Sequence, residues 1–323
     1  MKERAEIAVT AWWPGEAMER LARRYRVRVR REEEILDEEG LIAFIGEARA
    51  AMTILADPVT DRVLAACPNL AIVANVAVGY NNIDLEAAAR RGVWVTNTPD
   101  VLTEATADLA WSLILAVTRR LVEADRFLRA GRYRGWRPDL LLGSGLQGRT
   151  LGLLGYGRIG RAVARRGRAF GMRVLFHDPG VIAPEAGDRQ VGLEELLASS
   201  WVLSVHCPLT PATRHLLDGQ RLPLLPRGAF LVNTARGPIV DETALVELLE
   251  EGHLGGAGLD VFEEEPRVHP GLLGRDDVVL LPHIGSATLE TRSAMASLAA
   301  DNVEAVLAGR EPRTPVVRPR AAG

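Results

Sequence analysis

The chain has 323 residues, of which 47% are hydrophobic and 25% charged, and a formal net charge of −3. The composition is that of a globular protein able to bury large cores, and the length predicts two domains rather than one. A slightly negative balance with no long basic run argues against nucleic acid or a membrane surface as the main partner.

The predicted elements begin with short β-rich runs: EIAVT (6–10), RVRVR (26–30), AMTILA (51–56), LAIVANVA (70–77) and VWVTN (93–97). Helix-like segments such as 17–25 and 85–91 lie between them. Apolar strands with intervening helices predict a parallel sheet covered on both faces. A long helical stretch is expected from Thr103 to about residue 130, with an acidic, capped start at Thr103, Glu104 and Asp108. Its most apolar part, LAWSLILAVT (109–118), is far too short to span a bilayer and reads as a buried helix. A Gly-rich loop follows (131–150), carrying Trp136, Pro138 and three consecutive leucines at 140–142. A second series then runs TLGLLG (150–155), RVLFHD (173–178), WVLSVHC (201–207), AFLVNTA (229–235), GAGLDV (256–261) and VVLLPH (278–283). The last helix is expected from 288 to about 308, and the Pro/Arg tail after it is expected to fray. Two α/β domains therefore follow one another, with no repeat of solenoid period.

Four features are disfavoured early. Cys67 and Cys207 are the only cysteines and lie far apart, giving neither a disulfide framework nor a Cys-x-x-Cys metal site. Lys2 is the only lysine, which leaves no Walker A lysine and no candidate for a Schiff base in a folded interior. The N-terminal MKERAEIAVT has no secretory apolar core, so a cytoplasmic protein is expected.

The stretch GLLGYGRIGRA (152–162) contains Gly155, Gly157 and Gly160 in G-x-G-x-x-G spacing, between a predicted strand and a predicted helix with Ile159, Val163 and Phe170 as core candidates. Gly155 permits the sharp turn, Gly157 a close approach of a pyrophosphate, and Gly160 tight packing of helix on strand. The turn formed with Tyr156, Arg158 and Ile159 would present free N–H groups to the phosphates. Asp178 ends the next strand at the distance expected for a carboxylate that accepts from the adenosine ribose. It would repel a 2′-phosphate, and Pro179 and Gly180 supply no counter-charge, so NAD(H) is favoured over NADP(H); Arg158 and Arg189 are the residues that could reach around. Ligands of open α/β sheets sit beyond the strand carboxyl ends. That brings His206, Arg236, Asp260 and His283 toward the nicotinamide, and from spacing alone either His206 or His283 could donate a proton. His177 belongs to the ribose end, and His215, His253 and His269 read as surface histidines.

Six stretches together carry a resemblance: NVAVGYNNID (75–84), TNTPDVLTEATADLAWSL (96–113), GLLGYGRIG (152–160), NTARGPIVDETAL (233–245), GAGLDVFEEEP (256–266) and LLPHIGSAT (280–288). In this order they resemble the D-isomer-specific 2-hydroxyacid dehydrogenases, with the glyoxylate/hydroxypyruvate reductase (glycerate dehydrogenase) branch the nearest likeness. The resemblance implies two doubly wound parallel-sheet domains, a Rossmann nucleotide-binding domain (99–287) inserted into a flavodoxin-like substrate domain (1–98 plus 288–323). Hinges would fall near 97–99 and 286–289. The late fingerprint is then expected, because the residues before it build the other wall of the active-site cleft.

Roles follow by the same likeness. Arg236 would hold the carboxylate and reacting carbonyl of a small 2-oxo acid, His283 would be the general acid, and Glu265 would orient the imidazole and favour its protonated form. Glu263 and Glu264 would be solvated. Val78 and Gly79 would offer backbone N–H groups to the carboxylate, and Leu55 would border the pocket. Thr106 would lie near the nicotinamide, with Thr234, Ala235, Arg236, His206, Cys207, Pro208, Asp260 and His283 along the cofactor. A homodimer is implied, in which Trp136 either reaches the neighbouring active site or merely anchors the interface. The expected reaction is reversible NADH-dependent reduction of glyoxylate or hydroxypyruvate. The rivals are 3-phosphoglycerate dehydrogenase, another D-2-hydroxyacid dehydrogenase, and an NAD(H)-sensing interaction protein. The phosphoglycerate reading is disfavoured by Asp57 and Asp61, expected at the pocket rim, although Arg62 is nearby.

Overall fold

Buried β-branched and small residues alternating with helices produce two separate sheets in the computed structural model, which describes residues 4–180 and 183–319. Along the chain come β1 (Glu6–Val9), β2 (Arg26–Val29), β3 (Ala50–Thr53), β4 (Ile72–Asn75) and β5 (Trp94–Thr96). They are followed by β6 (Thr150–Leu154), β7 (Arg173–His177), β8 (Arg189–Gln190), β9 (Val202–Val205), β10 (Phe230–Asn233), β11 (Gly256–Leu259) and β12 (Val278–Leu280). The last is β13 (Pro315–Val317). The described residues form two compact units: those up to Leu102 together with those from Ser286 onward, and Thr103–Gly285.

The first unit has strand order β13-β5-β4-β3-β1-β2. Its core is 2-1-3-4-5, the flavodoxin-like order. β3 and β4 are buried at every position, as strands covered on both faces must be. The helix Leu289–Leu307 returns to this unit and packs on β3 and β4, burying Met295, Leu298, Ala299 and Val303.

As far as residue 319, the tail after that helix does not fray as expected; residues 320–323 lie outside the described residues. β13 pairs antiparallel with β5. Fully buried Asn302 organises the turn before it. Its Oδ1 accepts from the Arg313 (2.8 Å) and Thr314 (3.3 Å) amides, and its Nδ2 donates to Thr314 Oγ1 (2.8 Å). Thr314 in turn donates its hydroxyl proton to the Asn97 carbonyl at 2.6 Å.

The second unit is wholly parallel, in the order β12-β11-β10-β9-β6-β7-β8, a Rossmann sheet extended by one strand. The long helical stretch is two helices, Thr103–Thr118 and Leu121–Arg129. Arg120 between them is left-handed (φ 53°). The break coincides with a contact from far along the chain: Ser144 N–H captures the Thr118 carbonyl at 2.8 Å, and Gly143 lies against it where a Cβ would collide. The first of these helices buries Ala107, Ala110, Ile114 and Val117, one face at helical spacing. Val163 is fully buried as expected, but Phe170 is 44% exposed and instead stacks on Trp111, centroids 4.6 Å apart. Among the described residues no helix is long and apolar enough to cross a membrane.

Replacing Asn302 with Ala leaves two amides and one hydroxyl without their buried partner. It should cost about 2–4 kcal/mol in urea unfolding of the full chain. A loss below about 0.5 kcal/mol would mean the tail docks without it.

Candidate active site

The sequence order of the second sheet reverses at β6, which has β7 on one side and β9 on the other. The crevice at such a switch point is where α/β sheets bind nucleotides. The fingerprint turn sits there. Gly155 adopts φ +97°, and a Cβ on it would lie 2.6 Å from the Cys207 amide nitrogen, at the end of β9. A Cβ on Gly160 would collide with the Gly155 carbonyl, whereas Gly157 faces open space. Gly157 caps the helix Arg158–Ala169 without a capping side chain, so no side-chain cap occupies the amides of Ile159 and Gly160 at the helix start.

Tyr156 contributes only its backbone to this turn. Its ring is fully buried and stacks on Phe176 at 3.8 Å, and its hydroxyl bonds the Asp188 carboxylate. Its N–H donates to Asp178 Oδ2 (3.0 Å), while Asp178 Oδ1 accepts from Gly180 N–H (3.2 Å). Gln190, in a two-residue strand too short to read as periodicity, donates to the carbonyls of Asp178 (3.0 Å) and Gly180 (2.6 Å) and fixes this loop. Arg189 pairs with Glu195 at 2.8 Å, which commits it elsewhere.

Beyond β12, His283 is itself left-handed (φ 52°). A fully buried carboxylate holds it there. Asp260 accepts from Ile284 N–H (2.7 Å) and Gly285 N–H (2.8 Å), and its carbonyl accepts from His283 N–H (2.9 Å). Burial pushes the Asp260 carboxyl pKa up, against the pull of those two amides and of His283. Thr106 closes the same loop, donating to the Gly285 carbonyl at 3.2 Å.

The His283 imidazole meets Glu265, with Nδ1 at 2.9 Å from Oε2 and 3.2 Å from Oε1. A carboxylate only accepts, so Nδ1 carries the proton and Nε2 is left for other chemistry. Burial works against ionisation of Glu265. The His283 contact, the Phe262 N–H (3.1 Å) and the charge of Arg236 outweigh it and hold the carboxyl below the usual range. Arg236 follows β10 with extended backbone, and its Nη1 donates to the Ala235 carbonyl at 2.7 Å. Burial lowers its pKa and Glu265 opposes that. Its neighbour Gly237 abuts the Phe262 backbone, where no Cβ fits, so the loops bearing Arg236 and Glu265 are packed together. Thr234 alongside keeps a buried hydroxyl with no partner among the described residues, as a site shaped for a polar ligand would.

His206, the other histidine open to a proton-donor role, is unsuited to it. Burial lowers its pKa to about 3, and its Nε2 engages Ser204 Oγ at 2.8 Å. The thiol of Cys207 is pushed up to about 12 by burial and is inert, and Pro208 beside it is exposed. The expectation of idle surface groups fails for His215 and Glu263. They bond each other, and Glu263 exchanges backbone–carboxylate bonds with Glu242, which fixes the loop leading to Glu265. Glu264 does face solvent, paired with Arg267. His177, His253 and His269 each bond nearby backbone.

In the first unit, half-buried Leu55 follows β3, while Val78 and Gly79 follow β4. Asp57 is not at a rim. It is 1% exposed, accepting from Thr10 Oγ1 (2.5 Å) and Ile54 N–H (2.8 Å), and it pins the Leu55 turn from inside. Asp61 pairs with Arg91 and Arg90, and Arg62 with Glu38 and Glu39. In the second unit's long loop Trp136 is 81% exposed.

A family model for the D-isomer specific 2-hydroxyacid dehydrogenase NAD binding domain matches residues 111–285. The chain belongs to the D-isomer specific 2-hydroxyacid dehydrogenases. Two relatives named glyoxylate reductase match nearly end to end. That of Aeropyrum pernix is 48% identical over 96% of this chain and 95% of its own length. That of Thermococcus onnurineus is 45% identical over 97% and 96%. Among solved structures, a protein of Thermus thermophilus superposes with TM-score 0.92 at 47% identity, covering 97% of this chain and 100% of its own. The NADPH-dependent glyoxylate/hydroxypyruvate reductase of Sinorhizobium meliloti, solved with NADP and malonate, superposes with TM-score 0.87 at 38% identity, covering 99% and 100%. This dehydrogenase is therefore an oxidoreductase with an NAD-binding Rossmann unit.

The His206 environment gives a direct check. With a folded pKa near 3 against 6.5, the unfolded chain binds the extra proton, so acid destabilises the fold from about pH 6.5 downward. The imidazole nitrogen resonances of His206 should stay those of a neutral ring down to about pH 4. Titration of His206 near pH 6.5 would reopen its candidacy as the acid.

Proposed function

We propose that this dehydrogenase reduces glyoxylate and hydroxypyruvate with NADH, giving glycolate and D-glycerate. The observation that carries the reading is the Glu265-backed imidazole of His283, on a left-handed residue clamped by Asp260, in the same unit as the fingerprint turn. The names of the relatives direct it to these substrates.

The residues present fit the cofactor. Gly155 to Gly160 would take the pyrophosphate on the amides of the first helical turn. Asp178 would take the adenosine ribose. Thr106, His206, Cys207, Pro208, Thr234 and Ala235 would line the remainder, with Asp260 buried behind them and holding the His283 turn, and with the unpartnered Thr234 hydroxyl a ready donor. NADH, when bound, supplies the hydride for C2 of the 2-oxo acid.

Arg236 holds the substrate's carboxylate and reacting carbonyl through its planar fork, a geometry a lysine cannot reproduce. Val78 and Gly79 offer backbone amides to the carboxylate, and Leu55 borders the pocket. His283 passes its Nε2 proton to the carbonyl oxygen as negative charge develops there. Glu265, kept ionised by its surroundings, holds the Nδ1 proton and orients the ring.

NAD(H) is preferred over NADP(H) on the charge of Asp178, with Arg189 occupied by Glu195. The Sinorhizobium relative is NADPH-dependent, so the fold by itself does not fix the preference. We also propose a homodimer. Leu121, Leu128, Trp136 and Leu142 are all more than half exposed on one helix and the loop after it, an apolar set suited to a second copy.

Purified protein should oxidise NADH with glyoxylate or hydroxypyruvate, and His283→Gln should lower kcat by about 10²–10⁴ while NADH still binds. Turnover retained in that variant removes His283 from the chemistry. Asp178→Ser should shift the NADH:NADPH ratio of kcat/KM toward NADPH by roughly 10–100-fold. An unchanged ratio would locate the discrimination elsewhere.

A further inference from the structure

The turn after β4 has an arrangement that an extended strand does not have. Three successive carbonyls, those of Ala77, Val78 and Gly79, are each held by a donor. Ala77 accepts from Thr98 N–H at 2.8 Å, Val78 from Asn97 Nδ2 at 2.9 Å, and Gly79 from Asn75 Nδ2 at 2.9 Å. In a strand, consecutive carbonyls alternate in direction. Here the first is held by the Thr98 amide and the next two by asparagine side chains, Asn97 after β5 and Asn75 at the end of β4.

A trans peptide is planar, so the N–H of each following residue points opposite to the carbonyl that is held. Fixing the carbonyls of 77, 78 and 79 therefore also fixes the amides of Val78, Gly79 and Tyr80, each directed away from the donor that holds its carbonyl. Among the described residues none of these three amides meets an acceptor. Successive amides turned outward in this manner make a concave anion site.

The asparagines are themselves locked. Asn75 is fully buried, and its Oδ1 accepts from Thr53 Oγ1 at 3.2 Å, which leaves Nδ2 as the donor toward Gly79. The Asn97 backbone is tied to Thr314, whose hydroxyl donates to the Asn97 carbonyl at 2.6 Å and whose carbonyl accepts from Asn97 N–H at 3.4 Å. Both side chains thus act on the turn from a rigid frame.

We infer that Asn75 and Asn97 are positioning residues for the substrate carboxylate: by holding the Gly79 and Val78 carbonyls they aim the amides of Tyr80 and Gly79, with that of Val78, at one carboxylate. This rests on the reading above that a 2-oxo acid carboxylate meets the Val78–Gly79 turn, and it adds Tyr80 as a third donor. Neither asparagine touches the substrate. Their effect is confined to carboxylate binding, and hydride and proton transfer proceed once the acid is seated.

The test uses the full-length protein with Asn97→Asp, which keeps the shape but replaces the donor by an anion, and Asn97→Ala, which only removes the donor. KM for glyoxylate and Ki for oxamate, an unreactive carboxylate analogue, should rise about tenfold or more in Asn97→Asp, the size of one charge-assisted hydrogen bond. In Asn97→Ala both should rise by roughly three- to tenfold. In both variants kcat at saturation should stay within about threefold, and NADH affinity by fluorescence titration should be unchanged. Should Asn97→Asp fail to fold, Asn97→Ala decides alone. KM and Ki within about twofold of the parent, in variants that fold and bind NADH, overturn the inference. A parent protein inert toward both 2-oxo acids would sink the substrate reading, and the inference with it. An active parent with unmoved variants sinks the inference alone.

Discussion

A buried carboxylate sets the geometry of the strand-end loops in the second unit. Asp260 is wholly removed from solvent, and burial alone would favour its neutral form. Two amide donors, from Ile284 and Gly285, make the anion tolerable, and in exchange they fold the chain after β12 into a turn that puts His283 in the left-handed region. A non-glycine residue takes that backbone only where its surroundings impose it. The imidazole then falls against Glu265, and the loop carrying Glu265 falls against Arg236 through Gly237. Without the Asp260 clamp the His283 imidazole would not be held against Glu265.

The second unit's architecture was legible where residue type leaves little choice. Glycines at 155 and 160 are required by direct backbone collisions, and the strand–turn–helix context told them apart from ordinary turn glycines. The alternation of apolar strands with helices was enough for two parallel sheets. Other features depended on contacts distant in sequence. The helix beginning at Thr103 carries no breaker near residue 120. It ends where Ser144, far along the chain, takes its last carbonyl. The tail reads as Pro- and Arg-rich and fit to fray, yet one buried asparagine in the preceding helix organises it into a strand.

The candidate site divides in the same way. Spacing put both His206 and His283 at strand ends and could not rank them. Desolvation ranks them, because one ring is buried without a counter-charge and the other rests on a carboxylate. Asp57 read as a rim charge because an Asp in a loop usually is one, whereas here it is the internal pin of its own turn. Glu263 was indistinguishable from Glu264 in the run of three glutamates. Its bonds to His215 and to the backbone of Glu242 separate them. Asn75 and Asn97 lay in motifs noticed for their neighbours, and nothing in an isolated asparagine announces which carbonyl it will hold.

The antiparallel strand β13 has a bearing on biosynthesis. Residues 103–285 are contiguous and can collapse as soon as they emerge from the ribosome. The first hundred residues emerge earlier but lack both an edge strand and the long helix that covers β3 and β4. The half of the protein translated first is thus completed last. Until then the face of β3 and β4 that this helix covers has no partner within the first hundred residues.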